Sequence, residues 1–208
     1  RTVTGVQTCA LPICTCTLTA GACSISSTGL PVGTVALAAA YAGDISFASS
    51  NAAGTVAVTP AVTTTTVGAS ATSITVGSPV TLTAVVVPAG SSGTVWFTSG
   101  GTALGSCALA SGSCSITTSS LAIGSATVLA SYGGDATHAS SSGSISISVG
   151  RAPVSVGVAA SAGSSTFGSP LTFTVVVAPA TASGTVVFTA DGGATLGSCT
   201  LAAGTCAI

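Results

Sequence analysis

Cysteine is the residue with the most pointed chemistry in this 208-residue chain, which holds eight of them. Six fall into three C-x6-C pairs: Cys16 and Cys23, Cys107 and Cys114, Cys199 and Cys206. In each pair a Leu follows the first Cys by two residues. In the first two pairs an Ile follows the second Cys by two as well (Leu18 and Ile25, Leu109 and Ile116). On an extended strand, residues two apart share a face, so both cysteines belong with the aliphatic side. Between them lie Thr-Ala-Gly, Ala-Ser-Gly and Ala-Ala-Gly, which suit a tight hairpin with Gly at a positive-φ position. Directly opposed antiparallel residues stand about 4.5–5.5 Å apart at Cα, inside the range a disulfide spans. The spacing therefore predicts Cys16–Cys23, Cys107–Cys114 and Cys199–Cys206. A zinc site would need four ligands, and His138 is the only histidine. A redox pair favours C-x-x-C in an electropositive setting, which two Arg and no Lys cannot supply. Structural disulfides persist in oxidising compartments, so the expected location is extracellular or at a cell surface.

The other reactive side chains are few. Acid–base catalysis calls for a tuned His, a Lys or paired carboxylates. The chain offers one His and three Asp, with no Glu. Asp44 and Asp135 each follow Gly in equivalent turns, where Asp ordinarily caps backbone N–H groups; a Ca²⁺ site would want six to eight oxygens. Asp191 precedes two glycines and reads as a turn residue. His138 stands where the preceding repeat has Phe47 and is expected to fill a gap near that turn. No Ser has a base beside it in sequence. No catalytic residue, cofactor or metal is expected. Trp96 alternates with Val95 and Phe97 and so points away from the core. An exposed Trp can anchor a partner or stack on a sugar ring; the plainer alternative is packing on a neighbouring loop or domain. The hydroxyl runs Thr63–Thr66 and Ser140–Ser142 are solvated strand or loop before they are glycan acceptors, and Arg151 sits at a junction between repeats.

The elements that position these residues emerge from self-comparison. Gly77-Ser-Pro-Val-Thr-Leu-Thr returns as Gly168-Ser-Pro-Leu-Thr-Phe-Thr, and Tyr41-Ala-Gly-Asp44 as Tyr132-Gly-Gly-Asp135, each 91 residues on. The second cysteine pair follows the first at the same step. That period is a small domain rather than a solenoid unit. The boundaries expected are 14–60 for the C-terminal half of a first repeat, 61–150 for a complete second and 151–208 for the N-terminal half of a third. Pro60 and Pro153 mark the junctions, which favours a stiff rod. Residues 3–13, VTGVQTCALPI, resemble a translated sequencing adapter, and 1–13 are read as a non-native leader. In the repeat register Cys14 stands opposite Gly105, as expected if the adapter has overwritten a Gly codon. The chain is thus expected to be a fragment, cut at both ends.

Period-2 alternation runs through the complete repeat. Val80, Leu82, Ala84 and Val86 form one inward row, Val95 and Phe97 a second, Ala126, Val128, Ala130 and Tyr132 a third, and Ile145, Ile147 and Val149 a fourth. About seven short strands between Gly, Ser and Pro turns predict an all-β antiparallel sandwich. The motifs Gly-Ser-Pro-Val-Thr-Leu-Thr (77–83), Gly-Thr-Val-Trp-Phe-Thr (93–98), Gly-Thr-Ala-Leu-Gly (101–105) and Tyr-Gly-Gly-Asp (132–135) resemble tandem bacterial immunoglobulin-like (Ig-like) repeats. The resemblance covers residues 14–208. It implies tandem Ig-like sandwiches, one complete and two truncated, in a secreted or surface-anchored protein of the adhesin or stalk kind, with no catalytic residues to carry over.

Composition closes off other classes. Apolar residues make up 47% and the net charge is −1, enough to bury a core and too little basic charge for a nucleic-acid surface. Mean hydropathy is high at +0.87, yet runs such as Val35–Ala42 fall far short of the roughly 20 residues a spanning helix needs. The expectation is a non-catalytic stalk or spacer of a bacterial secreted or cell-surface protein, whose partners are neighbouring domains of the same chain. The alternative is an adhesin-type module whose repeats themselves bind a surface glycan or protein, with Trp96 as a contact.

Overall fold

A computed structural model describes residues 14–208; the adapter-like segment and Cys9 lie outside the described residues. The chain divides into two compact units, the first ending at Val149 and the second running Gly150–Ile208. Among the described residues every regular element is a strand except one three-residue 3-10 turn, as the Thr, Val and Ser content favours.

The first unit opens with a hairpin. β1 (Gly33–Tyr41) and β2 (Ser50–Val58) pair antiparallel along their whole length, from Gly33 opposite Val58 to Tyr41 opposite Ser50. Eight further strands follow: β3 (Thr64–Ala69), β4 (Ser73–Thr75), β5 (Val80–Val87), β6 (Thr94–Ser99), β7 (Thr102–Ala108), β8 (Ser113–Thr118), β9 (Gly124–Tyr132) and β10 (Ser141–Gly150). They make two sheets, one ordered β3-β5-β8 and antiparallel throughout, the other ordered β4-β10-β9-β6-β7 with antiparallel pairing across β10, β9, β6 and β7. The inward rows form the core between them. Leu82, Ala84, Val95, Phe97, Val128, Ala130 and Ile147 are completely buried. One strand more is present than the alternation suggests, because the leading strand is split. β3 pairs with β5, then the chain shifts to the other sheet as the three-residue β4 beside β10. A three-residue strand is too short to show a period.

At that edge the sheets approach closely. Thr63 Oγ1 lies within hydrogen-bond distance of Ala139 O (2.8 Å) and Ser141 Oγ (2.7 Å), and Thr65 Oγ1 shares a 2.7 Å bond with the same Ser141 hydroxyl. Gly143 permits this approach, since a Cβ there would run into the Thr65 carbonyl.

The second unit holds β11 (Ser155–Ala160), β12 (Phe173–Ala178), β13 (Thr185–Thr189), β14 (Thr195–Thr200) and β15 (Thr205–Ala207). β11-β12-β15 form one sheet and β13-β14 another. Val175, Val177 and Phe188 are its buried apolar side chains, with Phe173, Val186, Leu201 and Ile208 packed around them.

Candidate functional site

The three C-x6-C segments adopt one local geometry. A two-residue turn with both φ positive sits at Ala20-Gly21 (52°, 81°), Ser111-Gly112 (52°, 79°) and Ala203-Gly204 (49°, 75°), the backbone of a type I′ turn. One antiparallel bridge flanks each: Thr19 with Ala22, Ala110 with Ser113, Ala202 with Thr205. Disulfides join Cys16 to Cys23, Cys107 to Cys114 and Cys199 to Cys206, each across 5.8 Å at Cα. Cys14, opposite Gly105 in the repeat register, is itself disulfide-bonded.

The cysteines are not opposed partners within one ladder, however, which differs from the hairpin reading of the spacing. β7, carrying Cys107, pairs with β6 in the five-stranded sheet. β8, carrying Cys114, pairs with β5 in the three-stranded sheet. The turn between them is where the chain crosses from one layer to the other. Its flanks are tied to both layers, Leu109 N–H donating to Gly93 O and Val86 N–H to Gly112 O, each at 2.8 Å. Both cysteines pack on the core, so the disulfide links sheet to sheet across it. In the second unit Cys199 on β14 and Cys206 on β15 likewise join two different sheets.

A polar cluster caps the same end of the five-stranded sheet. Asp135 Oδ1 accepts the N–H groups of Thr137 and His138, both at 2.8 Å. Its Oδ2 accepts the Ser92 N–H (2.9 Å) and the Ser92 hydroxyl (3.0 Å). His138 Nδ1 lies 2.9 Å from Oδ1. The buried Tyr132 donates its hydroxyl to Ser92 O at 2.8 Å. The Ser92 and Thr137 N–H groups, chiefly, hold the Asp135 carboxyl well below the usual carboxylate range. Burial, then the Asp135 charge, raises the Tyr132 phenol. His138 is thus a hydrogen-bonded member of this turn rather than an apolar filler. Sequence reading missed the cluster because Ser92 is 43 residues from Asp135; the only local signal is Asp135-Ala-Thr-His138.

The cluster gathers a hydroxyl, an imidazole and a carboxylate, but in an order unsuited to nucleophilic catalysis. A triad places His between the nucleophile and Asp. Here Asp135 is the hub, and Ser92 and His138 are separate spokes. A carboxylate with so depressed a pKa is a poor base near neutrality. A shallow depression of about 420 Å³ at Ser99, Thr102, Leu104, Ser120, Ile123 and Thr127 presents hydroxyls and aliphatics, with no titratable group in its lining.

Trp96 lies on the outer face of the five-stranded sheet and is 58% exposed. It sits in a transverse row: Ser106 on β7 and Ser131 on β9 flank it, with Ser142 on β10 beyond Ser131. The second unit has Val187 at this position, also exposed.

Two facing, largely antiparallel sheets, inward aliphatic rows and a covalent link between layers define an immunoglobulin-like module. Residues 65–150 match the family model of the bacterial Ig-like domain (group 3), and this stretch is a bacterial Ig-like domain. No curated protein matches the chain. An Ig-like domain with disulfides fits a structural, extracellular type of module, from a family that is generally non-catalytic. No helix among the described residues is long and apolar enough to cross a membrane.

Proposed function

We propose that this chain is a segment of a non-catalytic stalk in a bacterial secreted or cell-surface protein, built from Ig-like repeats in series over 14–60, 61–150 and 151–208. The observation that carries this reading is the fastening of the connector between β2 and β3. Of its five residues, 59–63, Ala61 is bonded on both sides, its N–H to Thr137 O and its O from Ala139 N–H, each at 2.8 Å. Thr63 is tied to Ala139 and Ser141. Pro60 has its φ locked by its ring. A connector with so little torsional freedom supports a semi-rigid spacer rather than a flexible tether. The disulfides support an oxidising location, and the scarcity of charge argues against electrostatically steered binding.

The row Ser106–Trp96–Ser131–Ser142 favours one second reading, in which the repeat binds a neutral glycan: an exposed indole can stack on a sugar ring while flanking hydroxyls bond its OH groups. The two readings separate in a neutral-glycan array probed with the full chain and with Trp96→Thr. A stalk gives no Trp96-dependent signal. Binding that is lost in Trp96→Thr would replace the stalk reading with the adhesin one.

A further inference from the structure

We propose that residues 61–72 and 137–148 form a shear clamp, which carries tension through the complete repeat and must part before its core can open. The proposal rests on the stalk reading, which puts the chain under tension along its length. Ala61 bonds to Thr137 and Ala139, Thr63 to Ala139 and Ser141, and Thr65 to Ser141. Further along, the Thr72 carbonyl accepts the Ser148 N–H at 2.8 Å. In every one of these contacts the partner lies 76 or 78 residues further on. A constant separation means that the two segments run side by side in the same direction, and the bridge between Ala61 and His138 is parallel.

That direction decides how load is shared. Tension enters the repeat through the connector at 59–63, at the start of one segment. It leaves through Gly150, beyond the end of the other. Parallel segments pulled from opposite ends slide past each other, so their cross-links are loaded together rather than peeled apart one by one. The inward rows of β5, β6 and β9 lie between these two points along the chain and take up the pull only after the clamp has parted.

The side chains strengthen the clamp where tension enters. Ala139 O can only accept, so the Thr63 hydroxyl gives it its single proton. Ser141 then donates to Thr63, and Thr65 to Ser141, which makes a relay of three hydroxyls. Thr63 and Thr65 are only 7% and 3% exposed, which keeps water from replacing a bond as it breaks. Gly143 seats the Thr65 backbone directly against β10. Val154 and Val156 stand at the positions of Thr63 and Thr65 in the second unit, so the relay belongs to the complete repeat rather than to the repeat pattern.

The test holds single full-length chains at constant force by their two ends and reads the lifetime of the step that releases the sandwich. That step is recognised by a contour gain of roughly 250 Å, the extended length of about 90 residues less the clipped loop and the folded span. Ser141→Ala breaks the relay at its centre and removes two contacts. Each is worth about fivefold in rate when it breaks in the limiting step, so the lifetime should shorten about 25-fold. Thr65→Val, which removes one contact at nearly constant volume, should shorten it about fivefold. Thr63→Ser keeps its hydroxyl and should match the parent. Val95→Ala opens a cavity in the core outside the clamp; it should lower the urea midpoint and leave the lifetime under load as in the parent. A lifetime unmoved by both Ser141→Ala and Thr65→Val, or shortened as much by Val95→Ala, overturns the clamp and leaves the stalk reading standing. Extension without any discrete step overturns both.

Discussion

Removing the link between Cys107 and Cys114 tests how the sandwich is held together. The double variant Cys107→Ala/Cys114→Ala leaves the other disulfides untouched. The bond joins residues seven apart in sequence, so it closes a loop of about eight residues; the chain-entropy relation gives about 2.5 kcal/mol for that loop at 25 °C. A domain of this size shifts its melting midpoint by roughly 4–8 °C per kcal/mol, so the variant should melt about 10–20 °C lower. It should still fold, because the crossover keeps its I′ turn and its bonds to Gly93 and Val86. The unfolded chain, freed of its clip, exposes more surface, so the urea m-value should rise rather than fall. Urea and thermal unfolding followed by far-UV circular dichroism measure both quantities. A change below about 0.5 kcal/mol, well under the loop-closure figure, would refute the view that the disulfide constrains the unfolded chain. So would a variant with no folded state, since the crossover would then depend on the covalent bond for its geometry.

Three further outcomes follow from the same structure. Tyr132→Phe removes the bond to Ser92 O and leaves that carbonyl short of a partner, which should cost about 1–2 kcal/mol in urea denaturation; no change would mean that water replaces the phenol. Gly143→Ala drives a Cβ into the Thr65 carbonyl and should cost about 1–3 kcal/mol through displacement of β3 from β10, read as a lower unfolding midpoint; a neutral result would mean this edge is looser than described. Asp135 has its folded pKa depressed by the Ser92 and Thr137 N–H groups. Its contribution to stability is therefore fully present above the unfolded carboxylate value near ~3.9 and lost as pH falls below it. The unfolding midpoint should drop on acidification through that range, and Asp135→Asn should flatten the dependence; an unchanged slope in the variant would remove Asp135 as its source.

How much of this was legible in the sequence depends on the range over which each feature is encoded. The inward rows were legible because period-2 alternation is local: Val80, Leu82, Ala84 and Val86 announce their face through their neighbours. So was the turn between each pair of cysteines, through Ser111-Gly112 and its equivalents. Which layers that turn connects was not legible. A two-residue I′ turn looks the same in sequence whether its legs stay in one sheet or part into two, and only the pairing of β7 with β6 and of β8 with β5 decides it. The Asp135 cluster was hidden for a related reason. Its partner Ser92 arrives through tertiary structure, so Asp135 reads as a solitary turn residue and His138 as a substitute for Phe47. Trp96 could be assigned a face from alternation, but its flanking serines come from two other strands.

The stalk reading is tested most directly by stretching single full-length chains end to end with and without reductant. A load-bearing Ig-like sandwich should unfold in a discrete event. Seven residues span at most about 23–25 Å when extended, while the disulfide holds Cys107 and Cys114 at 5.8 Å. Reduction should therefore lengthen the contour released by that event by about 17–19 Å. Gradual extension with no discrete event, or equal lengths under oxidising and reducing conditions, would contradict a disulfide-clipped sandwich serving as a mechanical spacer.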